Sequence, residues 1–145
     1  LTIDKFSTYS DSWGYGYGYV HCGFRLAETF LIQAEALAMQ DQIEEARIIL
    51  DRFKSARYKS TYTIPTEKEA LLQDIYRERR KEFVAEGDYG WLDMKRLGLK
   101  AERTIGGITF KLEGEGDYRY AFPIPQSEID NNKEIRQNPG WILNN

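Results

Sequence analysis

The sequence predicts a mainly α fold: a tetratricopeptide-like helical hairpin, a long central helix, a small β ribbon and an irregular C-terminal tail. Three observations predict it. Apolar residues recur with a helical period in three stretches, 24–39, 43–56 and 66–86. The first two are joined by a tight polar turn, Gln40-Asp41-Gln42. Beyond Gly98 the helical period gives way to short alternating runs broken by Gly and Pro. With 145 residues, 41% of them apolar, the chain has enough to bury one core, and a single domain over 1–145 is expected.

The first 22 residues carry an unusual pattern. Trp13, Tyr15, Tyr17 and Tyr19 alternate with Gly14, Gly16 and Gly18. In an extended chain the aromatic side chains would share one face, because strand side chains alternate. Such a face could stack on sugar rings or other planar ligands, and Trp13, Tyr15 and Tyr17 are the candidate ligand-binding residues. The competing reading is a glycine-loosened loop, or an edge whose tyrosines cover a core. His21 and Cys22 are adjacent, so in a strand they face opposite ways, which weighs against a Cys–His nucleophile pair.

The first helix, FRLAETFLIQAEALAM, has a stripe of Leu26, Phe30, Leu31, Ala34, Leu37 and Ala38, and its alanines allow close helix approach. Asp41 is the expected N-cap of the second helix, whose stripe is Ile43, Ala46, Ile49, Leu50 and Phe53. Tyr58 to Pro65 reads as a linker. The central helix opens on Thr66 and Glu69, a T-x-x-E capping box. Its stripe is Leu71, Leu72, Ile75, Tyr76, Phe83 and Val84, and Gly87 stands where a helix end wants positive φ. Tyr89 to Gly98 reads as a turn and short helix with Trp91, Leu92 and Leu97 facing inward. The runs Ile108–Leu112 and Tyr118–Phe122, with Glu113–Asp117 as a flexible turn, suggest a two-stranded ribbon. A brief helix over Gln126–Asp130 and a turn at Asn138-Pro139-Gly140 complete the chain.

Several function classes lose support. The net charge is −3 with both signs mixed, and no Lys/Arg block marks a nucleic-acid footprint or an anionic membrane surface. No apolar run approaches the ~20 residues that span a bilayer. One cysteine excludes an internal disulfide, and one histidine beside it weighs against a zinc site. The glycine-spaced acids of Glu113–Asp117 lack the spacing of an EF-hand, so no metal and no cofactor is expected. Glu78 and Glu82 lie four apart and could serve as a catalytic carboxylate pair. Arg79, Arg80 and Lys81 stand among them, so the expected reading is a charge network holding both acids ionised, with no catalytic residue.

The pattern I-x-x-E-R-R-x-E-F-x-x-E-G at Ile75–Gly87, followed by Asp93, Met94, Arg96 and Gly98, resembles the SusD/RagB family. The resemblance extends to Arg25-Leu26-Ala27-Glu28, Leu31 and Ala34-Glu35-Ala36. It also takes in the tail, P-I-P-x-x-E-I from Pro123 and Gln137-Asn138-Pro139-Gly140-Trp141. Together these motifs run over residues 25–141. One departure lies after Gly87: five residues, Asp88–Leu92, precede Asp93, one more than is usual, and none is the Arg usually found there.

The resemblance implies a nutrient-binding lipoprotein on the surface of the outer membrane in Bacteroidetes. It implies capture of a glycan, oligosaccharide or peptide and delivery to a SusC-like TonB-dependent transporter, with no bond broken. It further implies that the chain is the C-terminal fragment of a longer protein. This fragment would serve chiefly as scaffold and transporter contact, and a lipid anchor absent from it would hold the whole to the membrane. Cys22, preceded by Tyr19-Val20-His21, stands in no lipobox and is not that anchor. The alternative from another class is a helical-repeat module for protein–protein interaction.

Overall fold

The computed structural model describes residues 25–84 and 86–141. The chain divides into two compact units, Leu1–Glu82 and Phe83–Asn145, each described by itself. The described elements are mainly helical, with one small sheet among them.

Among the described residues the first unit holds three helices: α1 (Leu26–Met39), α2 (Ile43–Ser55) and α3 (Lys68–Glu82). α1 packs on both α2 and α3. The core is built from Ala27, Leu31, Ala34 and Ala38 of α1, Ala46, Leu50 and Phe53 of α2, and Leu71, Leu72 and Ile75 of α3. Leu31, Leu50, Leu71 and Ile75 are fully buried. Each such side chain contributes roughly 1.5–3 kcal/mol by leaving water. Ala34 and Ala38 are fully buried, and with no side chain beyond Cβ they do not hold neighbouring helices apart.

Three boundary expectations are corrected. Asp41 is not the N-cap of α2; Gln42 is. Asp41 instead takes the left-handed conformation, φ 62°, that closes α1. Gln42 N–H donates to Leu37 O at 3.0 Å and Asp41 N–H to Ala38 O at 3.2 Å, the paired bonds of a Schellman ending. Second, α3 starts at Lys68, and Leu71 N–H donates to Glu67 O, one residue past the expected cap at Thr66. Third, α3 ends at Glu82, so Val84, expected in the buried stripe, is half exposed. Leu26, also placed in a stripe, is exposed at the very start of α1.

In the second unit, Gly87 does take positive φ, and the Phe83 ring stacks on Tyr89 with centroids 4.5 Å apart. α4 (Tyr89–Arg96) follows as expected, although Leu92, expected to face inward, is exposed. α4 closes with a second Schellman ending: Leu99 N–H to Met94 O and Gly98 N–H to Lys95 O, with Gly98 at φ +58°.

The ribbon exists, but with a different partner strand. β1 (Ala101–Ile105) pairs antiparallel with β2 (Ile108–Leu112), from Ala101 opposite Leu112 to Ile105 opposite Ile108. Gly106 and Gly107 form the two-residue connection at φ +57° and +80°. Both signs are what a type I′ hairpin turn requires, and Gly meets them without steric cost. Thr104 and Thr109 hydrogen-bond across the ribbon, and Lys111 pairs with Glu102 at 3.0 Å.

Tyr118–Tyr120, expected as a strand, is a 3-10 turn. Asp117 explains the change. Its carboxylate accepts from the Arg119 amide and grips the Arg119 guanidinium, folding three residues into a local loop that cannot extend. α5 (Gln126–Asn131) and the Asn138–Trp141 turn end the described chain.

Candidate functional site

The first unit concentrates its charge where the helices meet. Asp74, Glu78 and Glu82 stand four residues apart, one above the other on a face of α3. Each meets a partner from the end of α2 or just after it. The Lys54 ammonium donates to Asp74 at 2.5 Å and to Thr63 O at 3.4 Å. The Tyr58 hydroxyl lies 2.8 Å from both Glu78 oxygens, and Lys81 adds a bond at 2.9 Å. Arg57 takes Glu82 in a two-point fork, Nε to Oε2 at 3.0 Å and Nη2 to Oε1 at 3.1 Å. Arg25, just before α1, reaches the same carboxylate at 2.8 Å and the Glu82 carbonyl at 3.1 Å. Glu82 thus ties the start of α1 and the exit of α2 to the end of α3.

The electrostatics follow from these contacts. Burial raises the Glu82 carboxyl, but the hydrogen bond and charge of Arg57 and the charge of Arg25 outweigh it and hold the group below the ordinary carboxylate value. The Glu82 contact in turn raises the Arg57 guanidinium against its partial burial. A general acid needs the opposite arrangement, a carboxyl kept protonated near neutral pH. The Lys54, Asp74 and Glu78 side chains are at most 6% exposed, so their charges are compensated by each other rather than by water. Tyr58 and Tyr62 cover the Lys54 ammonium, at 6.0 and 5.6 Å from their ring centroids. The geometry braces three helices.

Sequence reasoning found Glu78 and Glu82 but missed Asp74 and Lys54 as the buried end of the same ladder. The signal was present. Lys54 stands four after the core residue Leu50, and Asp74 three after the core residue Leu71. A charge inside each of two apolar stripes is a pair waiting to be made.

The second unit carries a clamp built from the tail motifs. Asn138-Pro139-Gly140-Trp141 is a turn closed by Trp141 N–H to Asn138 O at 3.3 Å, with Gly140 at φ +89°. Positive φ after Pro marks type II. The turn and the residue before it direct three side chains to the segment Ala121–Ile124. Trp141 Nε1 donates to Ala121 O at 2.8 Å, and Asn138 Nδ2 donates to Phe122 O at 2.7 Å. The Gln137 amide both accepts from Ile124 N–H at 2.7 Å and donates to Ile124 O at 2.9 Å. Pro123 and Pro125 cannot donate a backbone bond, so these side chains satisfy most of what this extended run still offers. Tyr118 packs edge-on against Trp141 and lies so close to Gly140 that a Cβ there would meet its Cγ at 2.3 Å.

Nearby, Trp91 contacts Tyr120 at 5.2 Å and Phe122 at 5.6 Å between centroids, and the Tyr120 hydroxyl donates to Leu99 O. The acidic loop does not offer a metal its strongest carboxylate. Both Asp117 oxygens are engaged by Arg119, one also by the Glu113 amide, and these bonds hold the group far below the carboxylate range. Among the described residues no group of three or more His, Cys, Asp or Glu side chains could hold a metal ion. None of the described helices is long and apolar enough to cross a membrane.

The candidate ligand residues Trp13, Tyr15 and Tyr17 lie outside the described residues. Among the described residues, Glu78, Glu82 and Arg25 of the brace and Gln137, Asn138 and Trp141 of the clamp belong to the motifs that carry the family resemblance, whereas Lys54, Arg57, Tyr58 and Asp74 do not.

The family model described as the SusD family matches residues 1–141. A curated relative, SusD-like protein P38 of Formosa agariphila, is 32% identical over 123 residues. That alignment takes in 79% of this chain but only 23% of the relative, so the chain spans about a quarter of that protein's length. Matched over nearly all of its residues, the chain belongs to the SusD/RagB family.

Proposed function

We propose that the chain is the C-terminal scaffold portion of a cell-surface nutrient-binding protein. The observation that carries this reading is the SusD family match across residues 1–141. The ladder of Asp74, Glu78 and Glu82 supports it, because acids committed to Lys54, Tyr58, Arg57 and Arg25 serve to fix helices rather than to transfer protons. The ligand is a glycan or oligosaccharide, with a peptide as the alternative. Binding is followed by delivery to a SusC-like TonB-dependent transporter in the outer membrane. The complete protein is a surface lipoprotein held to the outer membrane through a lipid anchor.

Within the chain, Trp13, Tyr15 and Tyr17 are the ligand-facing residues. Their period-2 spacing between glycines would lay three rings on one side of an extended segment, and stacked rings bind sugar faces through apolar contact. The test is titration of the full-length protein with a panel of oligosaccharides, before and after changing all three to Ala. A loss of at least tenfold in affinity supports the assignment. Unchanged affinity removes these residues from the site. Absence of binding to every glycan and peptide tried, together with no co-purification of a transporter, overturns the wider reading.

A further inference from the structure

Phe122 is the most exposed aromatic side chain among the described residues, at 72%. A phenylalanine stabilises a fold by leaving water, and this ring mostly stays in it. Yet its backbone is fixed on both sides. The Ala121 carbonyl accepts from Trp141 Nε1, and the Phe122 carbonyl accepts from Asn138 Nδ2. Gln137 engages both the amide and the carbonyl of Ile124. Pro123 follows directly and confines Phe122 to extended conformations. Trp91 stacks on the ring at 5.6 Å between centroids, with the planes 22° apart, and Trp91 in turn contacts the buried Tyr120. The Phe122 ring is thus held in place while most of it faces water. A rigid exposed ring does little for stability, but it lowers the ordering cost of binding.

A polar group stands beside the ring. Asn138 turns its amide nitrogen to the Phe122 carbonyl at 2.7 Å, in an exposed contact. That contact fixes the amide orientation, since only the nitrogen can face a carbonyl oxygen. The Asn138 Oδ1 accepts no hydrogen bond among the described residues. An aromatic face with an acceptor at its edge complements a saccharide ring: the C–H face packs on the phenyl ring and an edge hydroxyl donates to Oδ1. An extended peptide fits poorly. It binds through main-chain hydrogen bonds, and here the carbonyls of Ala121, Phe122 and Ile124 are engaged, while Pro123 and Pro125 carry no N–H. We propose that Phe122, backed by Trp91 and flanked by the Asn138 amide oxygen, is a stacking site for one saccharide ring, separate in sequence from Trp13, Tyr15 and Tyr17. The proposal rests on the reading of the whole protein as a glycan binder and adds a contact near the end of this chain.

The test is calorimetric titration of the full-length protein with hexasaccharides of glucose, xylose and mannose, carried on with the one that binds most tightly. Phe122→Ala should weaken binding about three- to tenfold, the worth of one stacked ring. Phe122→Tyr, which keeps a ring face, should bind as the unaltered protein does. Phe122→Leu, which keeps apolar bulk without a ring, should lose as much as Phe122→Ala. The denaturation midpoint should stay where it is in all three, as for other exposed positions. Unchanged affinity in Phe122→Ala overturns the site and leaves glycan binding by the whole protein standing. Full affinity in Phe122→Leu marks a contact that needs only apolar bulk and overturns it too. A clearly lowered midpoint in Phe122→Ala shows the ring covered by the remainder of the polypeptide, and a changed oligomeric state gives it to a second copy; either overturns the proposal. Failure of the unaltered protein to bind any of the three sugars overturns it together with the glycan reading on which it rests.

Discussion

Asp41 occupies a backbone conformation that L-residues other than Asn and Asp rarely adopt, and it does so because the α1 ending needs a left-handed residue there. Its carboxylate is compensated by Lys68 at 2.7 Å, an exposed pair worth at most about 1 kcal/mol. Relief of the backbone cost, ~1 kcal/mol, should equal or exceed that loss. Asp41→Gly is therefore expected to leave stability unchanged or raise it by a few tenths of a kcal/mol, read from the urea midpoint. Gly140 is the opposite case. Its φ of +89° and the Tyr118 ring 2.3 Å from a Cβ position exclude any side chain. Gly140→Ala should cost about 2–4 kcal/mol, and it should release Trp141 from Tyr118, visible as a change in tryptophan fluorescence before global unfolding.

At the level of elements, what was legible depended on whether the deciding interaction was periodic or local. The three helices of the first unit announce themselves because their apolar residues repeat every third or fourth position, and burial there follows the stripe. β1 gives no such signal: Ala101–Ile105 holds two charges and a threonine, and it becomes a strand because Gly106-Gly107 folds β2 back onto it. Tyr118–Tyr120 alternates like a strand, yet one carboxylate at Asp117 overrides the alternation. The packing of α1 makes its own prediction. Ala34 is completely buried in the core of the first unit, and protein interiors are close-packed. Ala34→Leu should force the helices apart and cost about 1–3 kcal/mol, measured by chemical denaturation. Ala36→Leu, at an exposed position of the same helix, should cost nothing measurable in this chain alone.

Over the whole molecule, the proposed function places recognition on residues other than those that carry stability, and Glu82 lets the two be separated. The candidate ligand residues Trp13, Tyr15 and Tyr17 rest on a pattern of rings and glycines alone, outside the described residues, and a pattern of this kind specifies no partner atoms. The charge ladder was legible only in part, because the buried lysine and aspartate that complete it are far apart in sequence. Glu82 has its carboxyl held below the ordinary 4.5 by Arg57 and Arg25, despite the opposing effect of burial. The unfolded chain therefore binds a proton there more readily than the folded one. The stabilisation is fully present above about pH 4.5 and is lost as pH falls through the lower folded value. Glu82→Gln should remove that part of the acid dependence and lower stability by about 1–3 kcal/mol, between an exposed pair and a fully buried one. A scaffold role predicts that the full-length variant, at a temperature where it remains folded, keeps its ligand affinity at pH 7. If instead the midpoint is unchanged and affinity falls, Glu82 faces the ligand and its arginines position it for binding.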